Sequence, residues 1–155
     1  MNFDARADSI HNGPAWHAKS TKELLKDVTA AMAVHRPSPQ LHTIAELVAH
    51  MIAWRDWALR MLSGDIGYRI QLNSEADWPT VETLSDEEWS TMLATLDSQH
   101  SALKAAVASM TEQELNAHVG DRPFTFRVIA DGVFDHDIYH GGQIACVLKM
   151  ITPVG

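Results

Sequence analysis

Nine histidines in 155 residues are the side chains of this chain best suited to chemistry: His11, His17, His35, His42, His50, His100, His118, His136 and His140. A neutral imidazole offers one ring nitrogen as a lone pair and the other as an N–H donor, which makes it the commonest protein ligand for a divalent cation. His136 and His140 are four residues apart, a helical spacing that rises about 6 Å and rotates about 40°, so both rings can reach one ion. Nine histidines scattered at random would give about 0.5 such pairs, and the spacing alone is therefore a weak signal. Position is the stronger one. The row Ile129, Val133, His136, His140, Ile144, Val147 puts both imidazoles in the middle of an apolar helix face, and the row Leu47, His50, Trp54, Trp57, Met61 does the same for a third. An imidazole buried without partners leaves a donor and an acceptor unsatisfied at about 1 to 3 kcal/mol each. A divalent cation would organise three of them by taking a lone pair from each ring at about 2.0 to 2.1 Å. The alternative is a core histidine satisfied by local hydrogen bonds, which for His50 taken alone is an equal reading. His100, between Leu96 and Leu103, also faces inward; it reads as a packed residue and as the candidate fourth ligand. His11, His17, His35, His42 and His118 fall at helix ends or in loops and are expected to be solvated.

The elements that must position these groups are helices. A first helix over Asn2 to His11 is stopped by Asn12-Gly13-Pro14. Four capping boxes follow, at Ser20-Thr21-Lys22-Glu23, Thr43-Ile44-Ala45-Glu46, Ser85-Asp86-Glu87-Glu88 and Thr111-Glu112-Gln113-Glu114. They predict a short helix carrying Leu24, Leu25 and Val28, a long one to about Leu62, a third long one through Trp89, Leu96, Leu103 and Val107, and a short one ending near Gly120. A last helix is expected from about Thr125 to Met150. Periodicity fails from Asp65 to Thr83, the longest irregular piece. No strand of useful length is predicted, so residues 1–155 read as a single all-α domain, most simply an antiparallel four-helix bundle with short accessory helices. Twelve Lys and Arg against twenty Asp and Glu give a net charge of −8, which provides no footprint for nucleic acid or an anionic membrane. No apolar run is long enough to span a bilayer, the N-terminus lacks the pattern of a signal peptide, and one cysteine, Cys146, excludes an internal disulfide. A cytoplasmic location is the expectation.

Leu47-Val48-Ala49-His50-Met51-Ile52-Ala53-Trp54, together with Asp135-His136-Asp137-Ile138-Tyr139-His140-Gly141-Gly142-Gln143-Ile144, resembles the DinB-like (DinB/YfiT-like) superfamily of metal-dependent enzymes. Gly13-Pro14-Ala15-Trp16-His17 is similar to a segment common in one branch of it. The resemblance implies a four-helix bundle and a divalent metal held by three histidines, which map onto His50, His136 and His140. Relatives include thiol transferases that use bacillithiol and isomerases that use mycothiol, and homodimers are common. It therefore implies a small-molecule substrate and a low-molecular-weight thiol cosubstrate, without choosing between them and other chemistries.

Three neutral histidines with an open fourth position form the ligand set of a catalytic zinc site. Such an ion lowers the pKa of water toward about 7 or binds a thiol as thiolate, so hydrolysis and thiol transfer fit equally well. Zinc or nickel suits the imidazoles best, with iron or manganese as alternatives. A non-catalytic metal-binding stress or sensor protein is the competing reading. Around the ligands, Glu46 lies one turn before His50, Asp135, Asp137 and Tyr139 flank the last-helix pair, and Gln143 follows His140 on nearly the same face. Trp54 and Trp57 could wall a substrate pocket or fill core. Gly141 and Gly142 each cost a helix interior about 1 kcal/mol relative to Ala, so each calls for close packing or room beside the metal. Cys146 reads as a small core residue. No nucleophilic triad and no glycine-rich phosphate loop can be placed.

Overall fold

The computed structural model describes residues 3–152, all of whose regular elements are helices. They are α1 (Phe3–His11), α2 (Thr21–Leu25), α3 (Ala30–Val34), α4 (Ile44–Leu62), α5 (Asp86–Ala108), α6 (Glu112–Leu115) and α7 (Phe126–Ile151). All four capping boxes close reciprocally. The side chains of Ser20, Thr43, Ser85 and Thr111 accept from the backbone N–H three residues on, and the glutamate there accepts from the cap's own N–H. Each box satisfies two N–H groups that a helix start leaves without partners. At the other end of α4, Gly64 N–H donates to Met61 O (3.1 Å) and Asp65 N–H to Arg60 O (2.9 Å), with Gly64 at φ +97°. This is a Schellman stop, and the left-handed backbone conformation it requires is one that glycine adopts without a Cβ penalty.

α4 packs along both α5 and α7, and α1 packs against the same two helices from the other side. The short α2 and α3 lie on α7 and α4 respectively. Apolar stripes meet in two clusters, one around Met61, Leu103 and Phe134, the other around Leu47, Met51, Leu96 and Ile144. Between them runs a buried polar layer. Arg55 of α4, fully buried, donates Nη2 to Asp137 Oδ2 of α7 (2.7 Å), Nη1 to Leu96 O of α5 (2.7 Å) and Nη2 to His11 Nδ1 of α1 (3.2 Å). One guanidinium thus ties four helices in a single register, at a point one residue from His136 and five from His50. Asp137, expected beside the histidines, faces instead into this layer.

Two expectations are overturned here. His11 is not solvated: it is 1 % exposed, stacked on His100 (ring centroids 4.3 Å apart), with its Nε2–H donated to Asp97 (2.8 Å). Burial and the Arg55 charge push its pKa down to about 4, so the ring is neutral, as acceptance from Arg55 requires. Cys146 is exposed rather than packed in the core. It lies about 100° around α7 from buried Val147 and about 200° from buried Ile144, so helical rotation turns it outward. No helix of the described residues is long and apolar enough to cross a membrane.

Candidate metal centre

α4 and α7 lie side by side, which brings His50 from the middle of one against His136 and His140 from the middle of the other. The Nε2 atom of His136 is 3.0 Å from that of His50 and 3.0 Å from that of His140. One ligand atom from each ring lies within 4.8 Å of the others, and among the described residues this is the one such cluster of three. His50 and His140 are buried and His136 is half-buried.

The protons on these rings are fixed from outside the cluster. His50 Nδ1 is 2.6 Å from the backbone carbonyl of Asp77 and 3.2 Å from its carboxylate, both acceptors, so Nδ1 carries the hydrogen and Nε2 a lone pair. His140 Nδ1–H donates to Gln143 Oε1 (2.7 Å), which leaves Nε2 of this ring a lone pair as well. Both lone pairs face His136 Nε2. A hydrogen on His136 Nε2 could satisfy only one of them, and would leave His136 Nδ1 a bare acceptor; that atom is buried and has no hydrogen-bond partner. Moving the hydrogen to Nδ1 strands it there and aims three lone pairs at one point. Every neutral arrangement is therefore short of partners, and a cation at the convergence would accept all three lone pairs. The residues present fit a divalent ion. Burial, reinforced by the neighbouring His140 and His50, holds the His136 pKa down to about 3, and burial lowers those of His50 and His140, which keeps the rings neutral.

The irregular segment between α4 and α5 completes the surroundings. Asp77 accepts from Trp54 Nε1–H through Oδ1 (2.8 Å) and from the Asn73 backbone N–H through Oδ2 (2.8 Å), while its carbonyl orients His50. Trp78 lies flat between His50 and His42, with ring centroids 3.7 and 3.8 Å away and both pairs tilted by 7°. Sequence reasoning missed both residues. The available signal was Asp77-Trp78-Pro79 itself: a large aromatic in a segment with no helical face of its own must find a partner surface elsewhere.

Of the surrounding residues expected from spacing, Gln143 is the one that hydrogen-bonds a cluster histidine. Glu46 accepts from its own cap, from Arg36 and from His42 Nδ1–H (3.4 Å), and so touches the centre only through the His42–Trp78 stack. Asp135 pairs with Arg6 at the surface. Tyr139 is exposed, its ring edge-on to His140 at 5.0 Å. His100 is not in the cluster; its Nε2–H donates to Asp8 (2.9 Å) beside His11. A Cβ at Gly141 would meet the end of the Leu24 side chain at 3.4 Å, an ordinary contact, and Gly142 faces open space beside Gln143, so packing requires glycine at neither position.

A three-histidine cluster of this kind fits a metal-binding protein. No curated protein and no solved structure matches the chain. The family model described as the DinB superfamily matches residues 15–144, a span that holds all three histidines, Asp77 and Gln143. With well over half of its length inside that match, the chain belongs to the DinB superfamily.

Proposed function

We propose that the chain is a divalent-metal-dependent enzyme acting on a small molecule, as a thiol S-transferase or a hydrolase, with His50, His136 and His140 holding the ion and zinc or nickel as the metal. The observation that carries the reading is the convergence of three Nε2 atoms on one point, two of them fixed as lone pairs by the hydrogen bonds that His50 and His140 make through Nδ1. When bound by three imidazoles with one position open, such an ion supplies Lewis acidity to a water or a thiol. The chain's own residues supply the rest. Asp77 and Gln143 fix the tautomers and aim the rings of His50 and His140. Trp78 covers one face of His50, which keeps water from that side and limits the ring to one orientation. Among the described residues no carboxylate joins the three Nε2 atoms, which fits a fourth position taken by a ligand from solution.

The test begins with zinc and nickel loading, followed by assays of bacillithiol, mycothiol and glutathione against model electrophiles, and of ester and amide substrates. Turnover that requires metal and disappears in His136→Ala supports the proposal. Stoichiometric metal with no turnover in any class would instead favour a metal-binding role without catalysis.

A further inference from the structure

His136 borders a second feature besides the histidine cluster, a cavity of about 230 Å³ between α4, α7 and the turn preceding α7, with Trp54, Trp57, Phe124, Gly132 and Val133 on its walls. Trp54 and Trp57 meet edge to face, centroids 5.4 Å apart, and Trp54 lies 6.0 Å from the His136 ring. The indole N–H of Trp54 is already given to Asp77 and the exposed lining is almost wholly apolar, so the walls offer a polar occupant little in return for its lost hydration. An apolar recess thus opens directly beside the candidate reacting centre.

Gly132 is the second observation. It sits in the interior of α7, where glycine costs about 1 kcal/mol relative to alanine. Neither of the usual reasons applies, because its backbone is not in the left-handed region and a Cβ built there would meet nothing within 4 Å. Gly132 is exposed and stands at the rim of this cavity, one turn before His136. A protein cavity of about 150 Å³ is enough to hold benzene, so the recess takes an aryl ring or a branched alkyl group of similar size.

We propose that the cavity receives the apolar moiety of the substrate and sets specificity, placing the attached reactive atom at the histidine centre. This rests on the reading of His50, His136 and His140 as that centre. Burial of one such group is worth about 1.5 to 3 kcal/mol, or roughly a tenfold to hundredfold preference over a substrate lacking it.

The experiment uses the full chain and toluene as probe. In the metal-free protein, toluene should bind saturably and shift the indole N–H signals of Trp54 and Trp57. Gly132→Leu, which puts a branched side chain at the rim of the recess on a helix it strengthens, should abolish binding. Gly142→Leu, equally open but facing the hollow beside Gln143, should leave it intact. In the zinc-loaded protein, phenylmethanethiol should bind at least about tenfold more tightly than 2-sulfanylethanol, and Gly132→Leu should erase that preference while keeping the smaller thiol. Absence of saturable toluene binding, or binding that survives Gly132→Leu, overturns the proposal even where zinc binds stoichiometrically. Toluene binding without any zinc binding would instead overturn the histidine centre. Self-association that is lost in Gly132→Leu would assign the recess to a second copy of the chain and likewise overturn it.

Discussion

Asp77→Ala tests whether a loop residue governs the histidine centre. The side chain accepts from Trp54 Nε1–H and Asn73 N–H, both at 2.8 Å, and its carboxylate stands 3.2 Å from His50 Nδ1; Asp77 itself is 3 % exposed. Removing it orphans two donors, each worth about 1 to 3 kcal/mol when left unsatisfied, and frees the backbone whose carbonyl aims His50. Stability of the metal-free protein should fall by about 2 to 4 kcal/mol, a range that allows for partial hydration of Trp54. Loss of a residue that orients a ligand histidine typically costs 10-fold to 100-fold in metal affinity, and the same is expected here for zinc. Asp77→Asn keeps an acceptor for Trp54 but sets an amide against the Asn73 N–H and removes the charge beside His50, so it should fall between wild type and Asp77→Ala. Urea unfolding gives the first quantity and chelator competition the second. Wild-type zinc affinity in Asp77→Ala, alongside the expected loss of stability, would show that the loop braces the fold without orienting His50.

Two further outcomes follow from the buried polar layer. Arg55→Leu leaves the Asp137 carboxylate buried without its partner, and should destabilise by about 3 to 5 kcal/mol in urea unfolding; a loss below 1 kcal/mol would mean that the register of α4 and α7 is set by the apolar stripes alone. The metal-free protein should also be acid-labile. His11 titrates at about 4 when folded against an ordinary 6.5, so between those pH values the unfolded chain binds a proton that the folded one does not. Stability contributed by the neutral ring is intact above pH 6.5 and falls by up to about 3 kcal/mol as pH drops to 4. Asp8, held down to about 2 by Lys104 and His100, acts in the same direction at lower pH, its contribution being lost from about 3.8 downward. Unfolding midpoints measured from about pH 7 to about pH 3 should slope accordingly, and His11→Gln should lessen the slope by its share while the contributions of the buried His50, His100, His136 and His140 remain; a slope unchanged in His11→Gln would contradict the buried neutral His11.

The parts of the molecule that were legible in the sequence are those encoded locally. Capping boxes at Thr43 and Ser85 fix where α4 and α5 begin, and the stripes through His50 and through His136 and His140 fix which faces turn inward. Gln143 could be read because one helical turn from His140 is a local relation. Asp77 and Trp78 could not, since an irregular backbone has no period and their contacts with His50 span 27 and 28 positions of chain. His11 escaped for a similar reason: it ends α1 at what looks like a solvated terminus, and only the docking of α1 against Arg55 and Asp97 buries it. Cys146 is different, because its angle on α7 was available and its residue type misled.

The central claim is that three imidazoles converge on a cation. Elemental analysis of purified protein, with zinc titration of the metal-free form, tests it most directly when His136→Ala is measured beside wild type. One divalent ion per chain is expected in the wild type, with loss of that ion in His136→Ala and the helical content of the variant retained. A full equivalent of metal surviving in His136→Ala, or a wild-type protein that takes up none, would contradict it.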